Sequence, residues 1–453
     1  MLSIPQVAND LAGGVIAPDD PQYDQARTVF PGGIDRRPAL IVRVADATDV
    51  SRVIALARDT GLELAVRSGG HSAAGHGTSD GGIVLDLSGL RSLDIDAQRH
   101  TAWAGTGLTA GDYTAAAAAH GLATGFGDMG SVGIGGITLS GGFGLLLRKH
   151  GLTIDDVLAA EVVTADGELV RADSESHPDL FWAIRGGGGN FGVVTRFQFR
   201  LHEVDTIVGG MLILPATPEV IASFIAAADA APEELSTIAN VMTAPPLPFL
   251  APEHHGSVVV MATLAHAGGI EEGQRAIAPF RALAAPVADM VRPMPYREIF
   301  PPHDEDYHPV AVGRTGFADA IDRAAAEAIV EQLEARTAPM AVVQLRVLGG
   351  AMARVPADAT AFAHRQSRIM TNVAAVFERV EERPVHEPWV AGLAAQLSRP
   401  GAGAYVGFLA DEGEDRVRAA YPGATWERLA GTKARYDPDN LFRLNQNVPP
   451  ANG

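Results

Sequence analysis

The chain has 453 residues, 50 of them glycine and 29 proline, and no cysteine. Glycine and proline together make about 17% of it, below the low-complexity range, and 47% hydrophobic with 20% charged residues excludes a disordered or membrane-type composition. A net charge of −19 argues against unaided binding to nucleic-acid phosphates, and the missing cysteine rules out disulfides, thiolate metal sites, a cysteine nucleophile and a cysteinyl cofactor link.

In chain order, Met1 to Asp20 lacks a basic segment followed by an apolar one, and no run approaches the roughly 18 apolar residues of a spanning helix. A cytoplasmic protein without a membrane partner is expected. Ile41 to Val44 reads as a strand, and Thr48 as the cap of a helix whose Val50, Val53, Ile54 and Ala57 share one face until Gly61 ends it. Leu64 to Val66 is a second strand that runs into Arg67-Ser68-Gly69-Gly70-His71-Ser72. There, backbone N–H groups freed by glycine form a concavity suited to a pyrophosphate, the competing reading being a tight turn with a surface histidine. Ile83 to Leu87 is a third strand, and Thr109 to His120 an alanine-rich helix stopped by Gly121.

Gly133 to Gly144 packs six glycines into twelve residues. The interleaved Ile134, Ile137, Leu139 and Phe143 argue for buried backbone beside a ligand and against a solvated linker. Gly187-Gly188-Gly189-Asn190-Phe191-Gly192 spells G-x-G-x-x-G, but it follows a helix (Asp179 to Ile184, with Phe181 and Trp182 as core) and precedes an alternating strand (Phe191 to Leu201). A dinucleotide fingerprint needs the opposite order, so the NAD reading falls.

From about Gly209 strands and helices alternate. Glu219 to Ala230, Glu271 to Leu283 and Ala318 to Arg336 read as helices, and Val258 to Leu264, Val342 to Val347, Met370 to Phe377 and Ala404 to Leu409 as strands of an open sheet covered on one face. His303, Asp304, Glu305, Asp306 and His308 lie between prolines and read as a solvated acidic loop; His71 and His76 lack an acidic third ligand, so no metal is expected. A helix from Trp426 to Tyr436 leads into the turn Asp437-Pro438-Asp439-Asn440.

Taken in register, Arg67 to Ser72, Gly81 to Leu87, Gly133 to Gly144 with Arg148 to Leu152, Asp179 to Val194, Leu348-Gly349-Gly350 with Thr360 to Arg365, and Tyr436 to Phe442 resemble the vanillyl-alcohol-oxidase / p-cresol-methylhydroxylase superfamily, in its berberine-bridge-enzyme-like branch. The resemblance implies an α+β protein with a two-part FAD-binding domain, residues 1–205 and 410–453, around an antiparallel-sheet substrate domain at 206–409. It implies FAD held by the loop Arg67, Ser68, Gly69, Gly70, His71, Ser72, with the 8α link at His71. Asp128, Ser131, Val132, Gly133, Gly135, Gly136, Gly141, Gly142 and Gly144 would line the cofactor, with Val194, Tyr405, Asn445 and Asn447 as further contacts.

Family members with a second, cysteinyl link carry it where this chain has Met129, so attachment through His71 only is expected. The plant-like Tyr-x-Asn-Tyr strand reads Tyr405-Val406-Gly407-Phe408, and Phe408 cannot take a proton. Tyr405, Gln344 and Arg346 remain as candidate catalytic groups. Val132, at a position where oxygen-reactive members often have valine, favours an oxidase. The implied activity is hydride transfer from a small alcohol, amine or sugar-like substrate to FAD, with O2 as acceptor and H2O2 as product. The alternatives are a dehydrogenase with another acceptor and, third, a flavin-binding protein without turnover.

Overall fold

The computed structural model describes residues 11–451 except 305 and 400. Near the N-terminus, β1 (Gly14–Ile16), β2 (Leu40–Arg43), β3 (Leu64–Arg67) and β4 (Ile83–Asp86) pair in the order β1-β2-β4-β3, with β2, β4 and β3 parallel. Ile41, Val42, Ile83, Val84 and Leu85 are wholly buried, as parallel strands covered on both faces require. The helix Ala47–Thr60 covers one face through Val50, Val53 and Ile54, and Gly61 ends it in the left-handed conformation at φ +70°. Its cap is Asp46 and not Thr48: Asp46 has the extended backbone, and its carboxylate accepts the Asp49 N–H at 2.9 Å, whereas Thr48 already lies in the first turn.

Next come β5 (Leu93–Asp96), β6 (Thr101–Gly105), β7 (Leu122–Ala123), β8 (Val157–Val163), β9 (Leu169–Asp173), β10 (Val193–Arg200) and β11 (His202–Glu203). β7 pairs with β11, and the others form a sheet ordered β5-β6-β10-β8-β9. The C-terminal helix Ala424–Tyr436 returns to this part of the molecule, where Leu429 and Tyr436 share a core with Leu180, Phe181 and Phe191.

The central third forms the largest sheet, from β12 (Thr206–Pro215), β13 (Leu235–Thr243), β14 (Val258–His266), β15 (Ala288–Asp289), β16 (Arg292–Pro295), β17 (Val310–Ala318), β18 (Met340–Val347) and β19 (Ile369–Phe377). The order is β15-β12-β14-β13-β18-β19-β17, with β16 beside β12, and all pairings are antiparallel. The helices Pro218–Ala230, Ile270–Arg281, Arg323–Glu334 and Arg383–Leu397 cover one face, where Phe224, Phe280, Leu333 and Leu393 meet Leu212, Val241, Val343 and Val373. The in-phase residues Gln344, Asn372 and Ala374 line a cavity on the other face.

Two expected elements differ. Ala318 ends β17, paired with Ile369, and the helix begins only at Arg323 behind the cap Asp322. Ala404 to Leu409 is not a strand; Gly401 and Gly403 turn the chain through left-handed conformations, and Val406–Phe408 closes a single 3₁₀ turn. Among the described residues no helix is long and apolar enough to cross a membrane, and no three His, Asp or Glu side chains are placed to hold a metal; Glu305 lies outside them.

Candidate active site

The loop Arg67 to Ser72 leaves the carboxyl end of the parallel strand β3, the end at which α/β sheets characteristically bind ligands. It backs onto the second glycine cluster so closely that a Cβ on Gly69 would lie 2.3 Å from the Gly133 nitrogen. Ser68 locks the contact by donating its hydroxyl to the Thr106 carbonyl at 2.6 Å. Gly70 sits at φ +69°, where a side chain would strain the backbone. Arg67 is buried and paired with Asp86 at 3.1 Å, while its Nη1 has no partner.

The two loops line one end of a cavity of about 550 Å³, within the size range of small-molecule sites, which runs to Gln344, Arg346 and Tyr405 at the large sheet. His71 lies on its wall. The imidazole stacks on Phe30, with ring centroids 4.2 Å apart, and donates a hydrogen bond to the backbone of Ser131. Burial, with the charge of His303 secondary, pulls its pKa down to about 4, so the ring is neutral near pH 7.

Most of the residues expected at a cofactor converge on this cavity: Arg67, Ser68, Gly69, Gly70, His71, Ser72, Asp128, Val132, Gly133, Gly135, Gly136, Val194, Tyr405 and Asn445 line it. Gly133–Gly144 is not a continuous loop, because Ile134–Ser140 forms a short helix that turns Gly136 outward, with nothing within 4 Å of its missing Cβ. Gly141 and Gly142 lie beside Tyr405, and they and Gly144 pack on protein; a Cβ on Gly142 would meet the Thr153 hydroxyl at 2.0 Å, and one on Gly144 the Phe126 carbonyl at 1.8 Å. Asn447 and Asn445 each hold a buried side-chain oxygen with no partner.

The tail is stitched in place by residues that sequence reasoning did not single out. Lys433, wholly buried, donates to Asp437 (2.6 Å) and to the carbonyls of Asn190 (2.8 Å) and Phe442 (2.9 Å), and burial lowers its pKa. Asn190 accepts the Val448 N–H at 2.9 Å, and Asn445 donates to the Gly189 carbonyl at 3.2 Å. The segment Gly186 to Asn190 is therefore a seat for the tail that delivers Asn445 and Gln446 to the cavity.

At the sheet end, Arg346 donates to Gln344 (2.8 Å), the Phe143 carbonyl (3.0 Å) and Asp128 (2.8 Å), and Gln344 donates to Asn240 (3.0 Å). Tyr405 accepts the Gly142 N–H at 3.1 Å, and burial pushes its pKa up to about 12. These three candidate catalytic side chains are engaged with protein. Phe30, Asn372, Arg383 and Phe408 also line the cavity. The signal that marks Asn240, Gln344 and Asn372 in the sequence is an amide interrupting an apolar strand in phase.

The sequence matches the FAD binding domain family over residues 38–173 and the berberine and berberine-like family over residues 404–449. It is 34% identical to (R)-6-hydroxynicotine oxidase of Paenarthrobacter nicotinovorans over 97% of both chains. The chain belongs to the berberine-bridge-like family of FAD-linked oxidoreductases. An FAD-linked oxidoreductase of Bacillus subtilis is 29% identical to this oxidoreductase over 97% of each chain. The crystal structure of 6-hydroxy-D-nicotine oxidase from Arthrobacter nicotinovorans superimposes on it with a TM-score of 0.88 at 28% identity, covering all of both chains.

The cavity suits FAD on its own evidence. Backbone-lined walls at Gly70 and Gly136 leave room for close approach to a phosphate chain, and the unpartnered Asn445 oxygen belongs to a residue on the cavity wall, whereas Asn447 and Ser131, also expected at the cofactor, do not line it.

Proposed function

We propose that this oxidoreductase is an oxidase that takes a hydride from a small alcohol, amine or sugar-like substrate and passes the electrons to O2, giving H2O2, with its FAD joined to the protein once, through His71. The observation that carries this reading is the neutral, buried imidazole of His71 on the wall of a cavity that ends at the sheet's polar groups. A ring kept deprotonated retains the nitrogen lone pair that a bond to the flavin's 8α carbon needs. FAD supplies the hydride acceptor when bound; the chain binds, orients and excludes water. Arg67 to Ser72 and Gly133 to Gly136 would hold the phosphates, Val194, Asn445 and Asn447 the remainder, and Met129, which lines the cavity, offers no second attachment.

In this reading residues 1–205 and 410–453 form the flavin-binding unit and 206–409 the substrate unit, and the protein is cytoplasmic. Arg346 and Gln344 act as positioning residues and fix the floor of the cavity. Tyr405, held protonated to about pH 12, orients the Gly141-Gly142 backbone and is not a base. An amine substrate that arrives deprotonated needs no base.

Stopped-flow mixing of the reduced protein with air-saturated buffer tests the oxidase reading. Rapid reoxidation with stoichiometric peroxide supports it, and slow reoxidation that a quinone accelerates assigns a dehydrogenase.

A further inference from the structure

Three arginines line the cavity, and two of them are neutralised: Arg67 by Asp86 and Arg346 by Asp128. Arg383 is different. Among the described residues its one hydrogen bond is to the Ala311 carbonyl at 3.3 Å, and no acid pairs with it. A half-buried guanidinium that faces a cavity without a counter-ion is a site for an anionic group of a ligand.

The sheet floor places a second recognition group at a defined distance. Asn240, Gln344 and Asn372 stand directly opposite one another across β13, β18 and β19. Gln344 is pinned on both sides, by Asn240 and by Arg346, whereas the Asn372 amide has no partner among the described residues and borders the cavity. Ala311, whose carbonyl holds Arg383, pairs with Val376, four residues along β19 from Asn372 and hence about 13 Å away at the strand rise. Between the two lie Ala374 and its partner Gly313, side chains of a methyl group or less, with Phe30 also on the cavity wall. The result is a smooth apolar trough with a free amide at one end and a free cation at the other.

We propose that the substrate is a flat, apolar molecule with one acidic group, a carboxylate in the simplest case. Arg383 binds the acid, the apolar body lies over Ala374 and Gly313, and Asn372 holds the heteroatom next to the carbon that is oxidised. This substrate class rests on the flavin-oxidase reading above, which is why its test reads binding and not turnover.

Isothermal titration calorimetry of the purified full-length protein, as isolated, compares two probes that the site cannot oxidise, 4-methoxycinnamate and its neutral isostere 4-methoxycinnamamide. The carboxylate is expected to bind at least about tenfold more tightly, the worth of one charge-assisted contact. Arg383→Gln abolishes that preference and leaves the amide's affinity unchanged, Arg383→Lys restores most of it, and Asn372→Ala weakens both probes alike. Equal affinity for the two probes, no binding of the carboxylate, or a preference that survives in Arg383→Gln overturns the proposal. Flavin absorbance recorded on the same samples separates the two readings: protein without flavin that still selects the carboxylate counts against the oxidase and not against this site.

Discussion

The guanidinium of Arg346, on the large sheet, donates to the carboxylate of Asp128, 218 residues earlier in the chain, at 2.8 Å. With the Phe143 carbonyl and Gln344 on its other nitrogens, Arg346 ties the segment before the second glycine cluster to the floor of the cavity. Replacing it by Met leaves Gln344 and the Phe143 carbonyl without their donor and is expected to destabilise the fold by about 3 kcal/mol. Asp128→Asn retains a hydrogen bond and loses about 1 kcal/mol. Urea denaturation of the two variants measures the difference.

The glycines separate into packing and ligand-facing positions. Gly69→Ala drives a Cβ into the Gly133 backbone and is expected to lower stability by about 2 kcal/mol with or without flavin. Gly136→Ala meets nothing within 4 Å and lies in a helix, so the apoprotein is unaffected or gains up to about 1 kcal/mol. Its flavin content nevertheless falls. Melting curves paired with flavin-to-protein absorbance ratios show whether the two variants part in this way.

Tyr405→Phe removes the acceptor of the buried Gly142 N–H and is expected to destabilise by about 1–2 kcal/mol. Because the hydroxyl holds its proton to about pH 12, the variant keeps the wild-type pH profile of flavin reduction. Loss of an alkaline or neutral limb in that profile would show Tyr405 acting as a base after all.

His150 stacks on His202 with ring centroids 3.8 Å apart, its Nε2 is buried without a partner, and burial pulls its pKa down to about 3. A histidine depressed in the folded state and near 6.5 when unfolded favours unfolding as pH falls below about 6.5, with the penalty growing until its folded pKa is reached. His150→Phe should therefore narrow the drop in urea midpoint between pH 7 and pH 4.5. An unchanged drop in the variant excludes His150 as a contributor.

Local signals in the sequence carried much of the fold. The loop after β3, the alternating strand β10 and the helix before the run Gly186 to Gly189 are readable because turn chemistry and periodicity act within a few residues. The alanine-rich run predicts a helix from Ala318, yet pairing with Ile369 in β19 overrides that propensity. The extended reading of Ala404 to Leu409 failed because its neighbouring glycines break the strand, a tertiary choice that a run of apolar residues does not reveal. At the site, His71 and the glycine clusters stood out as motifs. Phe30, Asn372, Arg383 and Lys433 did not: Phe30 and Lys433 matter through contacts with His71 and Asn190, 41 and 243 residues away, and Asn372 and Arg383 through the cavity that the folded chain places beside them.

The proposed flavin link is a single one, through His71. Acid precipitation of the purified protein, followed by proteolysis and mass spectrometry of the peptide containing His71, tests it most directly. The expected result is a yellow precipitate, a His71 peptide heavier by one FAD less two hydrogens, no modified Met129 peptide, and release of all flavin from His71→Asn. A colourless precipitate from protein that was yellow before acid, or FAD found on another residue, would contradict it.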